Sequence, residues 1–187
     1  MSNDRHAVVV GGGIGGLAAA IGLRRAGWRA TVVERGTGFT GIGAGISLMR
    51  NALLAMDALG LGAAVGELPR NYGSGSVRSR TGALLGHSPE SHARDAPLLE
   101  MVLLHRAELH GLLRAALPQQ WLVAGTEVTR VDDLNSHDLN SHDPHGKVRL
   151  RTTDGDIEDA ELVVAADGVG SRLRTQLWPH HPGAVYS

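Results

Sequence analysis

The chain lacks cysteine altogether, although it has 187 residues. Disulfide bonds, thiolate metal sites and cysteine nucleophiles are therefore excluded. An excess of charge of either sign is also lacking, because the formal net charge is −1. A chain with this balance has no basic footprint for nucleic acid or an anionic membrane. We therefore expect neither of them as a partner.

A convincing signal or membrane-spanning segment is lacking as well. Residues 7–23 carry no charge, but six glycines interrupt them and the charged Asp4 precedes them. A signal peptide has a basic start, and a transmembrane helix needs a more continuous apolar run. The sequence therefore predicts a cytoplasmic protein without a membrane anchor.

Candidate metal ligands are concentrated in one short repeat. The pentapeptide LNSHD occupies residues 134–138 and is repeated at once at residues 139–143. Histidine and aspartate at this spacing could ligate a metal ion. A duplicated pentapeptide in a hairpin loop is more simply explained as a tolerated insertion. We therefore predict no metal site.

Glycine, by contrast, is abundant, and it is concentrated near the start of the chain. Residues 6–35 read HAVVVGGGIGGLAAAIGLRRAGWRATVVER. Ala7–Val10 is short and β-branched, as in a buried parallel strand, and a G-x-G-x-x-G run follows it. An apolar helical pattern then ends at Gly27, and a second strand, Ala30–Val33, leads to Glu34. The segment predicts a complete βαβ unit of the kind that binds dinucleotides.

The glycines of this unit have separate predicted roles. Gly11 allows the tight turn after the strand, Gly13 lets the backbone approach a pyrophosphate, and Gly16 lets the helix lie close to the sheet. The start of the helix, with Ile14 and Gly15, offers N–H groups and a partial positive charge to the phosphates. These residues together predict a phosphate-binding turn.

Glu34 is predicted to accept hydrogen bonds from a ribose diol. An acidic residue at the end of the second strand favours FAD or NAD over NADP. The alternative is a glycine-rich turn in an unrelated α/β protein, and a lone glycine motif would leave the two interpretations balanced. Strand, helix, second strand and terminal acid occur together here, and this favours a dinucleotide site.

The rest of the chain alternates between short strands and helices. Ser47 is predicted to cap a helix that ends at Gly60, and a hairpin turns at Thr81–Gly82. Residues 106–117 form an amphipathic pattern that Pro118 stops. Further strands are predicted at residues 98–104, 121–124, 127–132, 147–152, 156–158 and 161–166, and a helix at residues 171–177.

Two later features indicate the same kind of ligand. Arg106 stands in the first turn of its helix, where a cation opposes the helix dipole. This position is explained if Arg106 faces a phosphate, and a solvated arginine is the alternative. Asp167 and Gly168 follow strand 161–166, so an acid and flexible backbone again lie at the carboxyl edge of a sheet.

Taken together, these residues resemble the class A flavoprotein monooxygenases, such as para-hydroxybenzoate and salicylate hydroxylase. The resemblance spans nearly the whole chain and rests on four segments: GGGIGGLAAAIGLRRAGWRATVVER, GIGAGISLMRNALLAMDALGL, LLHRAELHGLL and ELVVAADGVGSRLR. It implies an α/β fold, a Rossmann-like FAD-binding domain of the glutathione-reductase type with a β-meander and part of a second, substrate-domain sheet. Residues 1–70 and 102–180 would form the FAD-binding domain, and residues 71–101 and 181–187 the incomplete substrate-domain sheet.

The resemblance also implies roles for single residues. Glu34 and Arg35 would hold the adenosine ribose region, and Gly45 and Ile46 would lie near the flavin. Arg106 would lie near the pyrophosphate and Val128 near the adenine. Asp167 and Gly168 would support the cofactor through the family's Asp-Gly fingerprint rather than perform chemistry.

The family's reaction is implied in the same way. NADH or NADPH reduces FAD, and the reduced flavin uses O₂ to hydroxylate a small aromatic substrate. Because the flavin supplies this chemistry, the protein has to orient the reactants and exclude water. This explains why no catalytic triad or acid–base pair stands out in the sequence.

The chain departs from the family pattern in two ways. Arg50 stands where proline is usual, and the sequence ends before the family's later Gly-Asp fingerprint. We therefore expect either the FAD-binding portion of a monooxygenase or a truncated, catalytically incompetent flavin-binding fragment or subunit that needs a second chain. An NAD-dependent dehydrogenase is a third alternative. It suits the βαβ unit but leaves Arg106 and the Asp167–Gly168 segment unexplained.

Overall fold

The computed structural model describes residues 5–40, 43, 45–68, 75–88, 101–133 and 147–181. The LNSHD repeat lies outside these ranges. So do parts of the predicted substrate-domain sheet, namely residues 71–74, 89–100 and 182–187. The strands are β1 (His6–Val10), β2 (Arg29–Glu34), β3 (Gly45–Met49), β4 (Gly75–Arg78), β5 (Leu84–Ser88), β6 (Met101–His105), β7 (Leu122–Ala124), β8 (Val128–Asp133), β9 (Val148–Thr152), β10 (Gly155–Ala160) and β11 (Leu162–Ala165). The α-helices are α1 (Ile14–Arg25), α2 (Arg50–Ala58), α3 (Gly62–Glu67), α4 (Arg106–Ala115) and α5 (Arg172–Leu177), and Gln119–Trp121 forms a 3₁₀ turn.

The chain divides into two compact units. The first contains Met1–Thr40 and Leu113–Ser187, and the second contains Gly41–Leu112. The predicted boundaries between a FAD-binding domain and a substrate-domain sheet follow a different division, and that assignment stays a prediction. No helix in the described ranges is long and apolar enough to cross a membrane.

A parallel sheet organises the first unit. Its strand order is β11-β1-β2-β7, and β1 pairs in parallel with both β11 and β2. All five residues of β1 are buried, as a central parallel strand covered on both faces requires. The strand, helix and strand predicted for residues 6–35 are therefore confirmed, with β1, α1 and β2 in that order.

Helix α1 packs against one face of this sheet. Its buried residues Leu17, Ala20 and Ile21 recur at helical spacing, as expected for a helix with one apolar face. The helix ends at Arg25, and Gly27 follows with a φ of +80°. This left-handed conformation suits glycine, so the predicted stop is confirmed.

A three-stranded antiparallel sheet and helix α5 belong to the same unit and share a core with the parallel sheet. The antiparallel strand order is β10-β9-β8. Val8, Val10 and Val33 of the parallel sheet form one buried cluster with Val128, Leu150 and Ala160 of the antiparallel sheet and with Leu173 of α5. Burying a side chain of this kind contributes roughly 2 kcal/mol. The α/β architecture with a β-meander, predicted from the resemblance, is thereby confirmed.

Charged side chains lie on the exposed side of the β-meander. Asp132 on β8 accepts hydrogen bonds from Arg130 and from Arg151 on β9. These two bonds lower the pKa of the Asp132 carboxyl below its ordinary value.

The second unit contains two antiparallel strand pairs and two short helices. β3 pairs with β6, and β4 pairs with β5. The hairpin of β4 and β5 turns through Gly82, whose φ is +88°, as predicted. Nothing in the described residues pairs one of these two-stranded sheets with the other.

One sequence prediction in this unit is wrong. Ser47 does not cap a helix; it lies in β3 opposite Leu103 of β6. The helix begins three residues later, at Arg50, after Met49 in an extended conformation. Pairing with β6, which lies far away in the sequence, decides this local structure, because a single serine is only a weak signal for a helix start.

Candidate functional site

A cavity of about 220 Å³ lies in the first unit, at the carboxyl ends of β1, β2 and β11. The carboxyl edge of a parallel sheet is where open α/β folds bind their ligands. Seven residues predicted from the sequence line this cavity: Gly11, Gly13, Glu34, Arg35, Val128, Asp167 and Gly168. Four further polar or flexible lining residues were not predicted: Thr126, Glu127, Gly170 and Arg172.

The turn after β1 has room for glycine alone at Gly11. Its φ is +109°, and an ideal Cβ there would lie 2.2 Å from the carbonyl oxygen of Ala166. Its N–H donates to the carbonyl oxygen of Val33 at 2.8 Å, so the turn is held between β2 and β11. An L side chain at this position is excluded both by conformation and by a backbone neighbour.

Gly16 lets α1 approach the same turn. An ideal Cβ on Gly16 would lie 1.9 Å from the carbonyl oxygen of Gly11 and 3.3 Å from Cγ1 of Val9. Gly13 and Gly15 differ, because an ideal Cβ on either meets no atom of the described residues within 4 Å. Gly16 therefore serves helix–sheet packing, while open space lies beside Gly13 on the side of the cavity.

The charge and the backbone groups of the α1 N-terminus both suit a bound anion. Gly13 is the N-cap, and within the described residues no side chain caps the helix. Its first turn contains no acidic residue. The first N–H groups of a helix lack partners within the helix and carry a partial positive charge. This end of α1 therefore suits an anionic group.

Glu34 joins the glycine turn after β1 to the loop that follows its own strand, β2. Its Oε2 accepts a hydrogen bond from the Gly12 N–H at 2.7 Å, and its Oε1 accepts one from the Gly36 N–H at 2.8 Å. A carboxylate has about four acceptor positions, so two remain for a further donor such as a ribose hydroxyl. Glu34 thus holds the glycine turn in place in addition to its predicted contact with ribose.

The segment between β7 and β8 forms one wall of the cavity, which we call the Val128 wall. The Thr126 N–H donates to the carbonyl oxygen of Glu34 at 3.1 Å, and the Thr126 hydroxyl donates to the carboxylate of Asp154. The Glu127 carbonyl accepts from the Thr153 N–H at 3.0 Å. The turn between β9 and β10 therefore fixes the wall that Thr126, Glu127 and Val128 form.

Substitution of Thr126 by valine tests this support. Valine keeps the shape but leaves Asp154 without the hydroxyl, so we expect the free energy of unfolding to fall by about 1 kcal/mol. We expect the dissociation constant for ADP to rise roughly threefold, because the wall formed by Thr126, Glu127 and Val128 is then held less firmly. A threefold change corresponds to a loss of about 0.7 kcal/mol in binding free energy. Urea unfolding and calorimetric titration measure the two effects.

Thr129→Val is the matched control for this substitution. Thr129 is exposed on β8, and its hydroxyl donates to the Arg151 carbonyl at 3.2 Å. Loss of an exposed hydrogen bond changes stability by about 0.5 kcal/mol or less. Equal effects of the two substitutions on ADP binding would contradict the role of Thr126.

The turn between β11 and α5 forms another wall, which we call the Asp167 wall. The Ala166 N–H donates to the Val10 carbonyl at 2.8 Å, and Gly168 adopts a φ of +83°. Oδ2 of Asp167 accepts a hydrogen bond from the Leu173 N–H at 3.2 Å. Asp167 therefore anchors the start of α5 and also lines the cavity. Its predicted supporting role for the cofactor stays a prediction.

Charges of both signs surround the cavity. Glu34, Glu127 and Asp167 are acidic, and Arg35 and Arg172 are basic. Nη1 of Arg172 lies 3.4 Å from Oε1 of Glu127, and this ion pair joins the Val128 wall to the helix that follows the Asp167 wall. Both side chains are substantially exposed, so the pair contributes at most about 1 kcal/mol.

The remaining predicted residues lie elsewhere in the fold. Ile14, Gly15 and Gly16 form the first turn of α1. Gly45 and Ile46 lie in the second unit, opposite His105 and Leu104 in the pair of β3 and β6. Arg106 follows β6 directly, so this strand pair brings Gly45, Ile46 and Arg106 to one of its ends.

Arg106 also lies against the segment before β3. An ideal Cβ on Gly43, whose φ is +134°, would lie 3.1 Å from Cδ of Arg106. The positive φ favours glycine at this position whatever the space. The predicted roles of Gly45, Ile46 and Arg106 at the flavin and the pyrophosphate stay predictions.

Thr126 lacks a local signal in the sequence, whereas Gly170 and Arg172 lie within the segment ELVVAADGVGSRLR, on which the family resemblance rests. Thr126 acts together with Asp154, and Arg172 acts together with Glu127, in each case across a distance of many residues. Pairs of this kind become visible only when the strands are assembled. Two sequence predictions had pointed to the segment between β7 and β8: a strand at residues 127–132, and the contact with adenine that the resemblance implies for Val128.

Comparison with known families agrees with this geometry. Residues 4–184 match the family model described as the FAD binding domain. Among curated relatives, the chain is 35% identical over 185 residues to a 6-hydroxynicotinate 3-monooxygenase of Bordetella bronchiseptica, covering 95% of this chain and 44% of the relative. It is 33% identical over 177 residues to an aurachin C monooxygenase/isomerase of Stigmatella aurantiaca, with the same two shares.

Solved structures share the fold. The HpxO protein of Klebsiella pneumoniae, complexed with FAD and uric acid, matches with a TM-score of 0.77 and 26% identity over 97% of this chain and 44% of the other. A 2-methyl-3-hydroxypyridine-5-carboxylic acid oxygenase in tetrameric form matches with a TM-score of 0.71 and 28% identity over 94% of this chain and 43% of the other. The chain thus spans less than half the length of these relatives. The family match over residues 4–184 shows that the chain belongs to the FAD-binding-domain family seen in flavin-dependent monooxygenases.

Proposed function

We propose that the first unit of this chain holds the adenosine diphosphate part of FAD, within an enzyme that hydroxylates a small aromatic substrate with NADH or NADPH and O₂. One observation carries the proposal. The glycine turn, the Glu34 carboxylate and the Asp167–Gly168 turn all line a single cavity at the carboxyl edge of the parallel sheet. These three features are far apart in the sequence and have the chemistry that a dinucleotide requires.

The residues fit the phosphates of FAD. The α1 N-terminus is uncapped by side chains in the described residues and has no acid in its first turn. Because a helix N-terminus attracts anions, the diphosphate would lie there. Gly13 leaves room for the approach, since an ideal Cβ on it meets no described atom within 4 Å.

The residues also fit the ribose and the adenine. Glu34 retains acceptor capacity beyond its bonds to the Gly12 and Gly36 N–H groups, and this suits a ribose diol. Val10, Val33 and Val128 add apolar lining for a base. A cavity of about 220 Å³ is smaller than the roughly 300–1,000 Å³ of most ligand pockets. All residues that line it belong to the first unit, so the proposal for this cavity is limited to the adenosine diphosphate part of FAD.

The flavin, when bound, supplies the redox chemistry. The residues of this chain would bind and orient it: Gly45 and Ile46 at the flavin, Arg106 at the pyrophosphate, and Arg35 beside the ribose. The relatives support an aromatic substrate, since the Bordetella relative is a 6-hydroxynicotinate 3-monooxygenase and HpxO was crystallised with uric acid. NADH or NADPH as reductant and a cytoplasmic location belong to the same proposal, because these reductants are available in the cytoplasm.

The second candidate is a flavin-binding fragment or subunit that turns over only with a second chain. The large exposed side chains of the β4–β5 hairpin favour this alternative, because Val77 and Leu85 are 65% and 68% exposed. Apolar surface of this kind is common at sites that contact another protein segment.

Titration of the purified chain with FAD, ADP and NAD⁺ tests the proposal. We expect saturable binding of FAD and ADP, with ADP displacing FAD because both use the same cavity. NADH oxidation with FAD present, measured with and without the product of any neighbouring reading frame, then separates the two candidates. A folded chain that binds neither FAD nor ADP would overturn the proposal.

A further inference from the structure

Gln176, in the last turn of α5, makes a paired contact with the backbone of β8. Its Oε1 accepts a hydrogen bond from the Val131 N–H at 3.1 Å, and its Nε2 donates to the Val131 carbonyl oxygen at 2.5 Å. Both bonds are partly buried. One side chain therefore satisfies both backbone groups of a strand residue.

This contact occupies an otherwise unpaired side of a strand. Within the described residues, β8 is an end strand of the β10-β9-β8 sheet. An end strand leaves alternate N–H and C=O groups without a strand partner. The carboxamide of Gln176 has one acceptor and one donor, as a neighbouring backbone would. It thus takes the place of one residue of a further strand.

The two elements that Gln176 joins lead to the Val128 wall and to the Asp167 wall of the cavity. β8 begins at Val128, and α5 begins at Arg172, and both of these residues line the cavity. The N–H of Leu173, in the first turn of α5, donates to Asp167 at 3.2 Å. The position of α5 on β8 therefore sets the distance between the Val128 wall and the Asp167 wall.

In the part of the chain that the structure describes, no other hydrogen bond links α5 to the backbone of β8. Leu173 belongs to the same buried apolar cluster as Val128, and Arg172 forms a partly exposed ion pair with Glu127, which precedes β8. Apolar contacts are not directional, and an exposed ion pair is weak. Gln176 supplies the directional interaction that sets the register of helix against strand.

We propose that Gln176 is a positioning residue for the nucleotide cavity: it holds α5 on β8 and thereby keeps the Val128 and Asp167 walls at the spacing that the adenosine diphosphate part of the cofactor needs. This inference rests on the proposed function. Gln176 itself does not line the cavity, so its effect on binding acts through the two walls.

The test compares Gln176→Met with the wild-type chain in ADP titration and thermal unfolding. Methionine keeps the length of the side chain but forms neither bond with Val131. We expect the dissociation constant for ADP to rise about tenfold, because part of the binding free energy then has to bring the two walls to the spacing that the ligand needs; a tenfold change corresponds to about 1.4 kcal/mol. Gln120→Met is the matched control, since Gln120 is exposed in the 3₁₀ turn of the same unit, and we expect its ADP affinity to stay within twofold of wild type.

Two further measurements keep the inference open to contradiction. Gln176→Glu retains the acceptor for the Val131 N–H but replaces the donor by an oxygen that repels the Val131 carbonyl, so we expect a comparable loss of ADP affinity. If Gln176→Met does not fold, Gln176→Glu replaces it in the ADP titration. A lower unfolding temperature with unchanged ADP affinity would show a merely structural residue and overturn the inference. Failure of the wild-type chain to bind ADP would overturn the proposed function instead.

Discussion

Gly11→Ala is expected to abolish detectable binding of FAD and ADP and to lower the free energy of unfolding by about 3 kcal/mol or more. Gly11 has a φ of +109°, a conformation that L residues rarely adopt. Its ideal Cβ would also lie 2.2 Å from the Ala166 carbonyl oxygen. Because that neighbour is backbone of the β11–α5 turn, the clash displaces the Asp167–Gly168 wall of the cavity. Urea unfolding and ADP calorimetry measure the two losses.

Gly111→Ala is the matched control, because Gly111 lies inside helix α4 and is not among the residues that line the cavity. An ideal Cβ on Gly111 meets no described atom within 4 Å, and no positive φ constrains this position. Alanine is favoured over glycine inside a helix by up to about 1 kcal/mol. We therefore expect unchanged ADP affinity and equal or higher stability. Loss of ADP binding in Gly111→Ala would mean that the effect is not specific to the glycine turn, and wild-type binding in Gly11→Ala would contradict the assigned geometry of the turn.

Glu34→Ala is expected to raise the dissociation constant for ADP about 100-fold. The substitution removes the acceptor of both the Gly12 and Gly36 N–H groups and the proposed partner of the ribose diol. Losing hydrogen bonds to a charged group costs about 2–3 kcal/mol, which corresponds to this factor. Calorimetric titration with ADP and with FAD measures the change.

Glu67→Ala controls for the loss of one negative charge, because Glu67 is exposed at the end of α3. We expect it to bind ADP as the wild type does. Glu34→Gln should lie between wild type and Glu34→Ala, since one amide oxygen can still accept from one of the two N–H groups. ADP affinity in Glu34→Ala within threefold of wild type would mean that the carboxylate is not part of the site.

Local pattern was sufficient where a residue's role depends on its near neighbours in the chain. The βαβ unit was predictable because strand, glycine turn, helix and acid follow one another within residues 6–35, and each has a short-range signal. The turn at Gly82 and the helix stop at Gly27 were predictable for the same reason, since a positive φ favours glycine. Residue chemistry alone thus indicated a phosphate turn and an acid for ribose.

Local pattern failed where a distant partner decides the structure. Ser47 has the chemistry of a helix cap, yet pairing with Leu103 of β6 places it in a strand. Hydrogen bonding along a whole strand pair outweighs the preference of one side chain, which is worth about 1 kcal/mol.

The sequence by itself determined which groups are available to hold a dinucleotide: a glycine turn at residues 11–16, an acid at Glu34 and an Asp-Gly turn at residues 167–168. Only the tertiary structure decided that these groups surround one cavity, because the parallel pairing of β1 with β2 and β11 brings their carboxyl ends together. It also decided the supports of that cavity, the Thr126–Asp154 and Gln176–Val131 contacts. Their partners are separated by 28 and 45 residues, and no local periodicity encodes contacts of that range.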